Sequence, residues 1–204
     1  MRAVLRFVAS VLMVSGAMLI ADAVLTLTWQ EPVSAFFQDR QQGELREQLS
    51  DLPPGSRHLA RFKALKGRAI GEIEMPAIDK TAFVVQGTDS GSLRKGPGHY
   101  PDTPLPGRRG TVAIAGHRTT HGAPFRHIDD LGRGDRIVVA MPYGTYIYSV
   151  QRTRIVDPHA TWVLHTVGYN RLVLSACHPL YSASKRIVLF ARLVARTPPK
   201  VVRS

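Results

Sequence analysis

The only cysteine of this chain, Cys177, stands in the segment LSACHPLYSASKR at 174–186, inside the apolar run RLVLSA-Cys and directly before His178-Pro179. Proline lacks the amide hydrogen that a central strand needs, so the run ends there and the thiol falls at a strand terminus. A lone thiol in that place is either a small buried residue or, as the thiolate, a nucleophile for acyl transfer. The second chemistry needs a base and a fixed cation.

A base is available sixty residues upstream, where TVAIAGHRTTHGAPF carries His117 at the end of another β-rich run, after Gly116. An imidazole at one strand end can face a thiol at the end of a neighbouring strand, which is the pairing that thiolate chemistry requires. Taken by position alone, His117 is equally a satisfied loop histidine, and His121, His127 and His178 compete with it. His178 adjoins the thiol, but consecutive residues of a strand point to opposite faces, which argues against it as the partner. A cation is available nine residues beyond Cys177, where Arg186 opens RIVLFARL. Its planar, permanently charged donors suit the oxyanion of a tetrahedral intermediate or the substrate backbone, although a strand-end arginine alone is also an ordinary solvated cation.

The elements that must position these groups are short β-rich runs separated by Gly, Pro and Asp: AIGEIEM, AFVV, TVAIA, DRIVVAM, YIYSVQRTRIV, RLVLSA and RIVLFARLVAR. With MPYGT at 141–145 as a hairpin turn and one short helix near APFRHIDDL, they predict an all-β fold of seven or eight strands, a closed or nearly closed barrel or a sandwich. Tyr143, Tyr146 and Tyr148 read as packing residues around the hairpin, and Tyr100, in KGPGHYPDTPLPG, as a groove residue or a packed loop aromatic. Asp129-Asp130 reads as helix-end polarity. No further carboxylates cluster there, so no metal site is expected.

The organisation predicted is a tip and apolar anchor at 1–29, a partly helical stalk at 30–68, a catalytic barrel at 69–196 and a frayed tail at 197–204. Phe7 to Leu27 is apolar apart from Asp22, long enough as a helix to cross about 30 Å of hydrocarbon, and Arg2 and Arg6 before it favour a cytoplasmic N-terminus. The alternative is a signal peptide cut at Ala21-Asp22-Ala23. In the stalk, a helix-forming stretch ends at Pro53-Pro54-Gly55. A net charge of +12, from 27 Lys+Arg against 15 Asp+Glu, calls for an anionic partner, and a domain exported from the cytoplasm meets envelope polymers or lipid headgroups rather than nucleic acid. One cysteine permits no intramolecular disulfide, and no Cys/His group has zinc-finger spacing.

GHRTTHGAPF, LSACHP with YSASKR after it, and the upstream GTDSGSLRKGPGHYPDTPLPGRRGTVAIAGHR together resemble the sortases, the cell-wall transpeptidases, and their class E branch in actinomycete-type Gram-positive bacteria. The likeness runs from about Ile70 to Leu193. It implies an eight-stranded sortase β-barrel with short helices behind an N-terminal transmembrane helix, with the catalytic domain outside a single-pass membrane anchor. It implies His117 as catalytic histidine, Cys177 as nucleophile and Arg186 as catalytic arginine, and no cofactor; Ser175, Ala176, Tyr100 and His121 are the candidates for contact with substrate. The implied reaction cleaves an LAXTG- or LPXTG-like C-terminal sorting signal of a secreted protein between Thr and Gly and passes the protein to an amine of the peptidoglycan precursor. A pilin-polymerising sortase and a non-catalytic, wall-binding barrel are the competing readings. The family's usual T-L-x-T-C is V-L-S-A-C here, so Ala176 brings no hydroxyl beside the thiol, and His121 stands where relatives commonly carry Tyr.

Overall fold

The fold is that of a computed structural model, which describes residues 2–28, 32–52, 58, 60 and 62–199. The chain divides into two compact units, 1–37 and 38–204. The first contains helix α1 (Arg2–Thr28), of which Arg2–Val24 is long and apolar enough to cross a membrane. Its large apolar side chains, Phe7, Leu12 and Leu19 among them, are exposed, as a lipid-facing helix would have them.

The second unit is built on eight strands: β1 (Ala69–Met75), β2 (Lys80–Gln86), β3 (Gly98–His99), β4 (Thr111–Ala115), β5 (Arg136–Met141), β6 (Gly144–Val156), β7 (Arg171–His178) and β8 (Lys185–Thr197). They close into a barrel in the order β1-β2-β3-β4-β7-β8-β6-β5, the β5 edge pairing back onto β1. The seven runs legible in the sequence are all strands. The eighth, β3, is two residues long inside KGPGHY, too short to show any alternation.

Alternation along the strands fills the interior. Leu172, Leu174 and Ala176 of β7, Val112 and Ile114 of β4, and Ile187, Leu189 and Ala191 of β8 all point into one core with Ile73, Phe125, Ile137 and Tyr148. The intervening residues of the same strands, Ala113, Val173, Val188 and Phe190, are buried too, because a one-turn 3-10 helix at Thr161–Leu164 lays Val163 over them on the outside. Burial on both faces is why RLVLSA reads as an unbroken apolar run.

Two of the expected features take a tighter form. The β5–β6 hairpin turns on Pro142 and Tyr143, with Met141 paired to Gly144, and the helix expected near APFRHIDDL is a single 3-10 turn, Ile128–Asp130. Helix α3 (Ser90–Lys95), capped by the Asp89 carboxylate accepting from Ser92 N, has no counterpart in the sequence reading.

Helix α2 (Pro32–Ser50) runs through the segment read as a stalk, and from Gln38 onward it belongs to the barrel unit. Leu45 is buried against Ala69, Phe83 and Val85. Gln42 accepts from Phe83 N at 2.7 Å and donates to Lys95 O at 2.7 Å, and Gln48 accepts from Ala69 N at 3.1 Å. Two glutamine amides thus satisfy backbone groups on the outside of β1 and β2. The Pro53-Pro54-Gly55 break and residues 200–204 of the expected tail lie outside the described residues, while Thr197 still pairs with Thr145.

Candidate active site

The same alternation decides which side chains meet outside the barrel. In β7, Val173, Ser175 and Cys177 face outward, opposite to Leu172, Leu174 and Ala176. β8 runs antiparallel beside it, and Cys177 and Arg186 are direct cross-strand partners, so their side chains leave the same face. On the other flank β4 runs parallel to β7 with Ala115 at the level of Ser175. Gly116 N extends that match by donating to Ser175 O at 3.0 Å, which brings His117 to the level of Cys177. Three strands therefore deliver the thiol, the imidazole and the guanidinium to one end of one outer face.

Local structure then fixes His117. Its carbonyl accepts from Phe125 N at 3.0 Å, which closes the 117–125 loop on itself. Phe125 is fully buried, and a Cβ at position 116 would come within 2.5 Å of its ring, so only glycine lets the strand end pass over that ring. His121, with a left-handed φ of 52°, stacks its ring on His117 at 4.9 Å between centroids. Burial, and then the neighbouring charge of His121, hold the His117 imidazole below its ordinary value of 6.5. At neutral pH the His117 imidazole is therefore uncharged.

Cys177 is half-buried and unbonded to any other cysteine. Arg186 is half-buried as well, and its Nη1 donates to the carbonyls of Ala183 and Lys185 at 2.9 and 3.0 Å, which ties the guanidinium to the turn between β7 and β8. A guanidinium carries five N–H donors, so this anchoring leaves others for a substrate.

Of the remaining residues expected to contact substrate, Tyr100 and Ser175 share this outer face: their hydroxyls lie 3.2 Å apart, and Tyr100 packs on the layer formed by Ala113, Val173, Val188 and Phe190. Ala176 is placed differently. Its methyl group is part of the barrel core, on the side away from Cys177, so only its backbone reaches the outer face. His178 likewise points away from the thiol face, as alternation requires. Asp129, read as helix-end polarity, lies in the 3-10 turn Ile128–Asp130 and also forms a 2.7 Å ion pair with Arg118, a residue that sequence reasoning passed over.

A closed barrel with a strand-end thiol, a neutral imidazole and a guanidinium on one outer face is the arrangement of a thiol-dependent acyl-transfer enzyme. The description "Sortase domain" fits residues 73–194, and the chain belongs to the sortase family of cysteine transpeptidases. Sortase D of Bacillus subtilis (strain 168) is 33% identical over 144 residues, 68% of this chain and 71% of that protein. Sortase SrtE1 of Streptomyces coelicolor is 26% identical over 209 residues, 95% of this chain and 58% of the relative. A solved structure of Sortase E1 from Streptomyces coelicolor with a tripeptide in the active site superposes with a TM-score of 0.61 at 26% identity, covering 65% of this chain and 91% of that one. The likeness to class E is thus met, beside a class D relative of higher identity.

Proposed function

We propose that this chain is a membrane-anchored transpeptidase that cuts the C-terminal sorting signal of secreted proteins, of LAXTG or LPXTG type, between Thr and Gly, and transfers the protein to an amine of the cell-wall precursor. The observation that carries the reading is the register of β4, β7 and β8, which sends His117, Cys177 and Arg186 out of one face at one level. Family membership supports the reaction class, and the tripeptide held in the active site of the Streptomyces coelicolor structure supports a peptide substrate.

The geometry suggests the following course. The Cys177 thiolate adds to the Thr carbonyl carbon, forming a C–S bond and placing the negative charge on oxygen, where Arg186 N–H groups stabilise it. Collapse breaks the Thr–Gly C–N bond, and the His117 imidazolium gives its proton to the departing Gly nitrogen. The thioester is then attacked by the acceptor amine, whose proton passes to the now neutral His117, and the Cys177 thiolate leaves. Because burial and His121 depress the His117 value, its protonated form is a minor population of the resting enzyme at neutral pH.

Helix α1 provides the anchor, and Arg2 and Arg6 at its start favour a cytoplasmic tip with the barrel outside. The test is peptide cleavage by the full chain in detergent, with fluorogenic LAXTG and LPXTG peptides and a diaminopimelate-type or oligoglycine amine. Turnover with ligated product in wild type, and none in Cys177→Ala, is expected. No turnover by wild type across the pH range would leave the wall-binding barrel as the better account.

A further inference from the structure

The hydrogen-bonded ladder between β4 and β7 stops at Ala115 and Ser175, but both chains carry their reactive groups two residues further, His117 on one and Cys177 on the other. Gly116 N to Ser175 O is the next link. Beyond it the connection is made by side chains. Arg118 Nη1 lies 3.3 Å from Nδ1 of His178, and since Arg118 follows His117 as His178 follows Cys177, the two pairs leave opposite faces at the same level. A guanidinium only donates, so Nδ1 of His178 accepts and the ring hydrogen sits on Nε2. With its lone pair engaged in this way, the histidine beside the thiol is an anchor and not a base.

Arg118 is built in for this. Its side chain is 2% exposed, the Asp129 carboxylate neutralises it at 2.7 Å, and the Arg126 carbonyl accepts from both Nε at 3.3 Å and Nη2 at 3.2 Å. A buried cation without these partners would be strongly destabilising, so its orientation is set before His178 is engaged. A second strap runs parallel to it: Arg126 Nη2 donates to Tyr181 Oη at 3.2 Å, and the same guanidinium lies 5.7 Å from the centroid of the Tyr181 ring. Both straps cross from the loop that carries His117 to the turn that follows Cys177.

We propose that Arg118 is a positioning residue: the chain Asp129–Arg118–His178 continues the register of β4 and β7 past the end of their ladder and thereby holds His117 level with Cys177. The inference rests on the functional reading above for its effect on turnover, though the rung itself does not depend on it.

The test uses the full chain in detergent and steady-state cleavage of the sorting peptide by wild type, His178→Ala, His178→Asn, Arg118→Met and the double variant Arg118→Met/His178→Ala. Misplacing a reacting group by about 1 Å costs up to about a hundredfold in rate, so His178→Ala is expected to lower kcat by about tenfold to a hundredfold, with KM within about twofold. His178→Asn, which offers an amide oxygen as acceptor in place of Nδ1, should recover most of that loss. In the Arg118→Met background, His178→Ala should add nothing further. Equal loss in His178→Asn and His178→Ala, additive effects in the double variant, or a loss expressed in KM alone overturns the proposal. If Arg118→Met does not fold, the Asn-versus-Ala comparison decides. Should wild type cleave no peptide, the functional reading has failed, and the rate of Cys177 alkylation by iodoacetamide across the His178 variants decides the rung. Slowing in His178→Ala with recovery in His178→Asn supports it, and unchanged rates overturn it.

Discussion

Cys177 and Arg186 are opposite one another in the antiparallel ladder of β7 and β8, nine residues apart in sequence and joined by a turn whose carbonyls, Ala183 and Lys185, hold the guanidinium. The spacing is thus a consequence of hairpin geometry: shifting either strand by one residue would send one of the two groups into the core. The Arg186 charge reaches the thiol face only half-buried, so it costs far less desolvation than a fully buried cation would.

Replacing this arginine should therefore affect chemistry and not folding. Loss of one oxyanion donor commonly costs about 10²–10³ in kcat, and Arg186→Ala is expected to fall in that range with an unchanged melting temperature. Arg186→Lys keeps the charge but not the planar donors, and should recover only part of the loss. Steady-state cleavage of the sorting peptide measures both. An Arg186→Ala enzyme within about threefold of wild type would remove this residue from the reaction.

The pH dependence follows from His117. Its value is lowered by burial and by His121, so the acid limb of kcat/KM should fall below the ordinary imidazole value of 6.5: the group stays neutral as pH drops and gains its proton only at lower pH. Removing the stacked ring removes one cause and part of the other. His121→Asn, which tolerates the left-handed backbone at that position, should move the acid limb upward toward 6.5. An acid limb already above 6.5 in wild type, or one that does not move in the variant, would contradict this account of the electrostatics.

The three groups of the proposed site could be located in the sequence because each lies at one end of an apolar run, and a strand terminus is visible in residue order; their roles there rest on the family resemblance. Alternation also places these groups: Cys177 leaves β7 on the face of Arg186, and His178, one residue on, leaves the opposite face. What could not be read depends on partners distant in the chain. Arg118 looks like any of 27 basic residues until Asp129 and His178 are seen around it. Ala176, beside the thiol, invites a role at the substrate, but the period of two that sends Cys177 outward sends this methyl group into the core. The docking half of α2 was hidden for a similar reason. It buries one leucine and presents two glutamines, a pattern too sparse to stand out against a polar helix.

That docking has a stability consequence. Leu45 is 2% exposed, and truncating a buried leucine to alanine costs about 2–5 kcal/mol. At about 2–4 °C per kcal/mol for a domain of this size, Leu45→Ala should lower the melting temperature by about 4–20 °C, with kcat below the transition unchanged. A truncation that begins at residue 69 should show the same loss or more, whereas one that begins at residue 38 should keep the full melting temperature. A fully stable protein beginning at residue 69 would show that the helix is only a tether.

Gly116 offers the most direct handle on the position of His117. A methyl group there meets the Phe125 ring at 2.5–2.8 Å, and the ring has no room to retreat, being fully buried in the core with Ile114 and Ile128. Overpacking of this kind costs about 1–3 kcal/mol, and the backbone is the softer side, so the strain in Gly116→Ala should be relieved by moving the 116–125 loop and His117 with it. The expected result is a modest loss of stability and a loss of kcat of about tenfold or more, with little change in KM. Because the clash is with one ring, a smaller side chain should relieve it. Gly116→Ala/Phe125→Leu should regain activity relative to Gly116→Ala, even though Phe125→Leu alone lowers stability by opening space in the core. If the double variant is no more active than Gly116→Ala, clearance over Phe125 is not what the glycine supplies.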